Sequence, residues 1–119
     1  MPYRSQTTLG AEYVTITATG EYSQMEMFEF ISHCRAEAGA NERECVLIDC
    51  SELEIKISEV ERFEGGQMFA RLFGSDYKVA LILPAGQITK MGEMAANNRG
   101  GRLLVTPSRN EAIAWLLEL

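Results

Sequence analysis

The sequence predicts an α/β protein with a mostly parallel sheet of four to five strands and about four helices. Three observations predict it. Strand-like and helix-like patterns alternate along the chain, continuous apolar runs mark strands covered on both faces, and serine–glutamate pairs stand where helices would begin. Alternation of this kind implies parallel strands joined by right-handed crossovers. At 119 residues the chain reads as one domain, 1–119. A domain of this size buries roughly two-thirds of the surface of its unfolded chain.

Residues 3–8 are polar and threonine-rich, and Gly10 stands where a hairpin would turn, so they predict a weak edge strand. Tyr13 to Thr19 alternates, with Val14, Ile16 and Ala18 on one face, as in a strand packed on one side only. Gly20 to Ser23 reads as the break after it. Ser23 and Glu26 fit a capping box, in which each satisfies an unpaired amide of the first helical turn. Met27, Phe30, Ile31, Cys34 and Ala38 then form a core-facing stripe, and Gly39 is expected to end that helix in the left-handed conformation.

Cys45 to Ile48 is a continuous apolar run, typical of a strand covered on both faces. Residues 49–58 read as the chain emerging, turning and feeding a helix. Ser58 and Glu61 form a second capping box, followed at helical spacing by Val60, Phe63, Gly66, Ala70 and Phe73. Each glycine of Gly65-Gly66 costs about 1 kcal/mol relative to alanine within a helix. The pair therefore implies close packing against the sheet or a local break. Gly74 to Asp76 closes the helix, Lys78 to Leu83 is a buried strand, and Pro84 ends it by withholding a ladder donor. Ile88, Met91, Gly92 and Ala95 mark a third helix ending near Asn97–Gly101. Arg102 to Thr106 is the last core strand. Ser108 with Glu111 opens a final helix with a stripe of Ala112, Trp115, Leu116 and Leu119.

Composition narrows the function classes. The formal charge of −6 argues against non-specific nucleic-acid binding, which draws its affinity from cationic contacts to phosphates. Thirteen acids and five bases lie in residues 1–66, against four acids and six bases in 67–119, so only the second half could host a small anion site. No apolar stretch approaches the ~18 residues of a membrane span, and residues 1–5 begin no secretory apolar run. Cys34, Cys45 and Cys50 are spaced by eleven and five residues, matching no zinc pattern, and are expected as buried, reduced thiols of a cytoplasmic protein.

No catalytic constellation emerges. His33 is the only histidine and neighbours Cys34 on a helix, where successive residues point about 100° apart and make a poor nucleophile–base pair. Asp49, Glu52 and Glu54 follow the central strand at the carboxyl end, where open α/β sheets bind ligands, but no EF-hand spacing accompanies them. Asp49 beside Cys50 should raise the thiol pKa and lower its reactivity. Neither Gly65-Gly66 nor Gly100-Gly101 makes a dinucleotide or Walker loop, so no cofactor is expected. Asn98, Arg99 and Arg102 could present two guanidinium groups and turn amides to an anion. The same residues suit a helix C-cap with Gly100 at positive φ, and that reading carries more weight. Met25, Met68, Met91 and Met94 pack in the core by default and could line an apolar pocket.

The order of elements, with Val46-Leu47-Ile48-Asp49-Cys50-Ser51-Glu52-Leu53 as strand and turn, resembles STAS domains of the SpoIIAA-like type. Residues 95–100, Val105, Glu111-Ala112 and Trp115-Leu116 are similar to small bacterial SpoIIAA-like proteins, which group with STAS and Sec14-type domains. The resemblance runs from about Tyr13 to the end. It implies a right-handed superhelix of β-α turns, a cytoplasmic setting and a non-enzymatic interaction role. In anti-sigma-factor antagonists of this type, a D-S-S-G turn carries a regulatory phosphoserine. Here the matching place reads Ile57-Ser58-Glu59-Val60: one hydroxyl, a carboxylate where the second serine would fall, and no glycine.

The leading functional expectation is a regulatory, protein-binding module using Asp49, Ser51, Glu52, Ser58 and Glu59. The alternative is a binder of a lipid or other small apolar ligand, with an anionic head at Asn98, Arg99 and Arg102. An apolar surface left on one sheet face or on the third helix would add a homodimer.

Overall fold

The computed structural model describes residues 3–118. Five strands form one sheet: β1 (Arg4–Leu9), β2 (Val14–Tyr22), β3 (Cys45–Ile55), β4 (Lys78–Ile82) and β5 (Leu103–Thr106). They lie in the order β1-β2-β3-β4-β5, with β1 antiparallel to β2 and every other pair parallel. The helices are α1 (Gln24–Ala40), α2 (Glu59–Phe73), α3 (Met91–Asn97) and α4 (Arg109–Leu117). Because each new parallel strand adds beside the last in one direction, crossovers of one hand must deposit α1, α2 and α3 on the same face. The helix α4 follows the last strand and is free to cover the other.

Strand parity sorts the core into these two layers, since adjacent strand residues point to opposite faces. Val14, Ile16, Val46, Ile48, Cys50, Val79, Leu103 and Val105 pack with Phe30, Ile31, Cys34, Phe69 and Phe73 beneath α1 and α2. On the reverse face Leu47, Ala80 and Ile82 pack with Ala112 and Leu116 of α4. Val46, Leu47 and Ile48 are therefore all fully buried, as a two-sided strand requires. Met27, Phe30, Ile31, Cys34 and Ala38 are the buried residues of α1, as their spacing predicts. Beyond the reach of α4, the reverse face of β2 presents the half-buried Thr15, Thr17 and Thr19. Leu119, placed in the last helical stripe on sequence grounds, lies outside the described residues.

Several expectations are corrected. Gly20 does not end its strand: with φ of 102° it lets β2 run on to Tyr22. Nor is residues 49–55 a turn. There β3 continues to Ile55, with a register shift opposite Thr17–Thr19, and Leu53 is buried between the exposed Glu52 and Glu54. Gly39 stays helical, and Glu42 takes the left-handed conformation, after Asn41 Nδ2 donates to the Glu37 carbonyl at 2.8 Å. Ile88 precedes α3, which begins after Lys90 at φ 67°. Val60 is 69% exposed and not part of the core stripe. Gly65-Gly66 causes no break in α2. A side chain on Gly66 would come within 2.8 Å of Ala95 Cβ, and one on Gly65 within 3.1 Å of Met27 Sδ, so the pair permits close approach to α3 and α1.

Candidate functional site

The residues singled out between β3 and α2 fall into two groups. Asp49 lies where β3 leaves its pairing with β4, on the α4 side of the sheet. Its Oδ1 accepts the Ser51 amide at 3.0 Å, and its Oδ2 pairs with Arg109 Nη1 at 2.9 Å. Ser51 and Glu52 are exposed on the outer part of β3, where only β2 accompanies it. Ser58 and Glu59 open α2 on the opposite layer. Ser58 Oγ accepts the Glu61 amide at 3.2 Å while Glu61 Oε1 accepts the Ser58 amide at 2.7 Å, a complete capping box. Glu59 stays about half exposed, its carboxylate 3.7 Å from Arg62 Nε. At about 3.3 Å per residue, the strand from Asp49 to Ile55 runs for roughly 20 Å and leads from the first group towards the second. Sequence reasoning missed Arg109, 60 positions from Asp49, for which no local spacing gave a signal.

Arg99, Asn98 and Arg102 surround the end of α3 and the start of β5. Gly100 adopts φ of 87°, and Arg99 Nη1 donates to the Ala95 carbonyl at 3.3 Å while its guanidinium lies 4.8 Å from the centre of the Phe63 ring. Arg99 thus sits at the negative end of a helix, over an aromatic face. Arg102 Nη2 approaches Glu118 Oε1 at 3.9 Å, and Asn98 is exposed.

A third feature has a lining that the sequence did not point to. Between the sheet and α1, α2 and α3 lies an apolar cavity of about 60 Å³. Met27, Phe30, Phe69, Leu81 and Val105 contribute to its apolar wall, and Arg62, Lys90 and Glu93 to its polar part. Of the methionines offered for a pocket, Met25 and Met94 are exposed, and none of Met25, Met68, Met91 and Met94 lines this cavity. Its ionic groups are also distinct from Arg99 and Arg102. The Arg62 side chain is only 13% exposed, and its polar contact among the described residues is the 3.7 Å pair with Glu59.

Burial, reinforced by the Asp49 charge, pushes the Cys50 thiol far above its ordinary pKa, and burial does the same to Cys34. All three cysteines are free. His33 Nε2 lies 3.7 Å from Glu37 on its own helix. Among the described residues no hydrogen bond links His33, Cys50, Ser51 and Ser58, and no group of three or more His, Cys, Asp or Glu side chains could hold a metal ion.

No protein-family model and no curated protein matches the chain. Solved structures do. A protein of the DUF3478 family with a SpoIIAA-like fold from Shewanella loihica is 20% identical, with a TM-score of 0.56 over 96% of this chain and 93% of that one. An anti-sigma factor antagonist from Mycobacterium paratuberculosis is 13% identical, with a TM-score of 0.65 over 97% and 94%. The anti-sigma factor antagonist SpoIIAA in its unphosphorylated form is 12% identical, with a TM-score of 0.57 over 98% and 100%. The chain has the SpoIIAA-like fold. These likenesses extend across nearly the whole chain, β1 included, where the sequence resemblance began only near Tyr13. Within this SpoIIAA-like fold, no described helix is long and apolar enough to cross a membrane.

Proposed function

We propose that the protein is a non-enzymatic regulatory module of STAS type that binds a protein partner through the start of α2. The observation carrying this reading is the exposed pair Glu59-Val60. A valine that is 69% exposed stands beside a half-exposed carboxylate on a helix whose first turn is already rigidly capped. A side chain presented on a fixed frame costs little ordering on binding. The kinship in fold with two anti-sigma factor antagonists supports a regulatory role. Ser58 Oγ is engaged in capping and a glutamate stands at position 59, so in this reading recognition runs without a phosphoserine switch. Affinity capture from cells that make the protein, with wild type and Glu59→Lys as baits, tests the site. The wild type should retain one partner and the charge-reversed bait should lose most of it; equal recovery would exclude this surface.

The cavity favours a second reading, binding of a small apolar molecule. An apolar cavity of 150 Å³ holds a benzene, so 60 Å³ admits only a smaller group unless α2 and α3 shift from the sheet. Native mass spectrometry of freshly purified protein should show a retained adduct if this reading is correct, and a bare protein mass would remove it.

A further inference from the structure

The two edges of the sheet are finished differently. Along β5, the outward backbone groups are bonded by side chains of α3 and the residue before it. Asn97 Oδ1 accepts the Leu103 amide and Asn97 Nδ2 donates to the Leu103 carbonyl, both at 2.9 Å. Glu93 Oε2 accepts the Val105 amide at 2.6 Å, and Lys90 Nζ donates to the Val105 carbonyl. Three side chains thus imitate a neighbouring strand, and this edge is closed to another chain. Along β1 nothing comparable exists. Among the described residues, the backbone groups of residues 4–9 bond only to β2. The strand has no proline, no lysine and no bulge, and Arg4 is its one charge. Natural sheets blunt open edges with such devices; here one edge is sealed and the other is left as a template.

The surroundings of β1 indicate what would suit it. Ser5 pairs with the buried Ala18 and so points to the α1 side of the sheet. There Tyr3, Ser5, Glu26, Glu29, Ser32 and His33 line a shallow depression between β1 and α1. Its charges are the carboxylates of Glu26 and Glu29 and, when protonated, His33, which already has Glu37 3.7 Å away. Burial first and then the Glu29 carboxylate raise the pKa of Tyr3.

We propose that the outer edge of β1 takes an extended, basic peptide segment of a partner protein as a sixth strand, with a lysine or arginine side chain reaching Glu26 and Glu29. Main-chain hydrogen bonds would supply affinity, and the depression would select the side chain that enters it. This inference is independent of the surface at Glu59-Val60, which lies at the start of another helix, and either can fail without the other.

The probes are three capped octapeptides titrated against the whole protein by amide NMR. One alternates valine and lysine, one valine and glutamate, and the third is the valine–lysine peptide with N-methylated alternate residues. The first should perturb residues 3–9 together with Glu26, Glu29 and His33, and slow amide exchange along β1, while the other two should not. Glu29→Gln should weaken the first peptide roughly two- to five-fold, as expected for loss of an exposed ion pair, and Ser75→Ala should leave it unchanged. Perturbation elsewhere, equal binding of the N-methylated peptide, or no binding at millimolar concentration would overturn the proposal. So would protection of β1 that depends on protein concentration without peptide, since a second copy would then be the occupant.

Discussion

Asn97 shows how much one side chain can organise in this molecule. Its amide supplies both an acceptor and a donor to Leu103, a residue that is 4% exposed. Truncation strands two backbone groups at the edge of the core, and an unsatisfied buried polar group costs about 1–3 kcal/mol. Asn97→Ala should therefore lower unfolding stability by about that amount in urea titration. Asn97→Asp, which keeps the acceptor, should lose less. Charge at two other residues sets a pH dependence. Glu21 is held below the usual carboxylate range by the hydrogen bond it accepts from Lys56, and Glu26 by the one it accepts from Ser23. A carboxyl whose folded pKa is depressed contributes stability above its unfolded value and loses it as pH falls through the folded value. Stability should thus fall with acidification below the reference value of 4.5, and the double variant Glu21→Gln, Glu26→Gln should flatten that part of the profile.

At the scale of elements, the contact between α2 and α3 depends on Gly66. A side chain there would collide with the Gly92 carbonyl oxygen and sit 2.8 Å from Ala95 Cβ, inside the range that real contacts avoid. Overpacking of this kind costs about 1–3 kcal/mol, so Gly66→Ala should destabilise by that order. Gly65→Ala should do less harm, because the flexible Met27 side chain can move aside. The same scale explains what could be read from the chain. The α1 stripe was legible because its five apolar positions follow the helical period locally. The outer half of β3 was not, since Glu52-Leu53-Glu54-Ile55 has strand alternation but sits after a polar stretch that imitates a turn. Its pairing is fixed by β2 continuing through Gly20, 32 positions before Glu52. The bonds from Asn97 and Glu93 to β5 likewise exist only once α3 has docked. Hydrogen exchange should divide β3 accordingly: amides of residues 46–49, flanked by β2 and β4, should exchange more slowly than those of 52–54, where β2 is the one neighbouring strand and before the Ile55 amide donates to Gln87 Oε1.

The whole molecule combines a rigid SpoIIAA-like sheet with surfaces of differing character. The β5 edge is sealed, the β1 edge is open, and the start of α2 presents Glu59 and Val60 to solvent. The fold class was legible from alternation and apolar runs, because a β-α series constrains topology strongly. The candidate site was legible only in its parts. Ser58 follows from its capping signature with Glu61, and Glu59 from the family resemblance, whereas the run of strand that parts them from Asp49, the Asp49–Arg109 pair and the cavity under α2 and α3 are products of tertiary packing. If the exposed beginning of α2 is the partner-binding surface, a partner must lie within reach of position 60. Photo-crosslinking reads this out, with benzoylphenylalanine placed at position 60 and, for comparison, at position 17 on the reverse face of β2. One dominant protein crosslink is expected from position 60 and none from position 17; crosslinking from position 17 alone, or from neither, would rule this surface out.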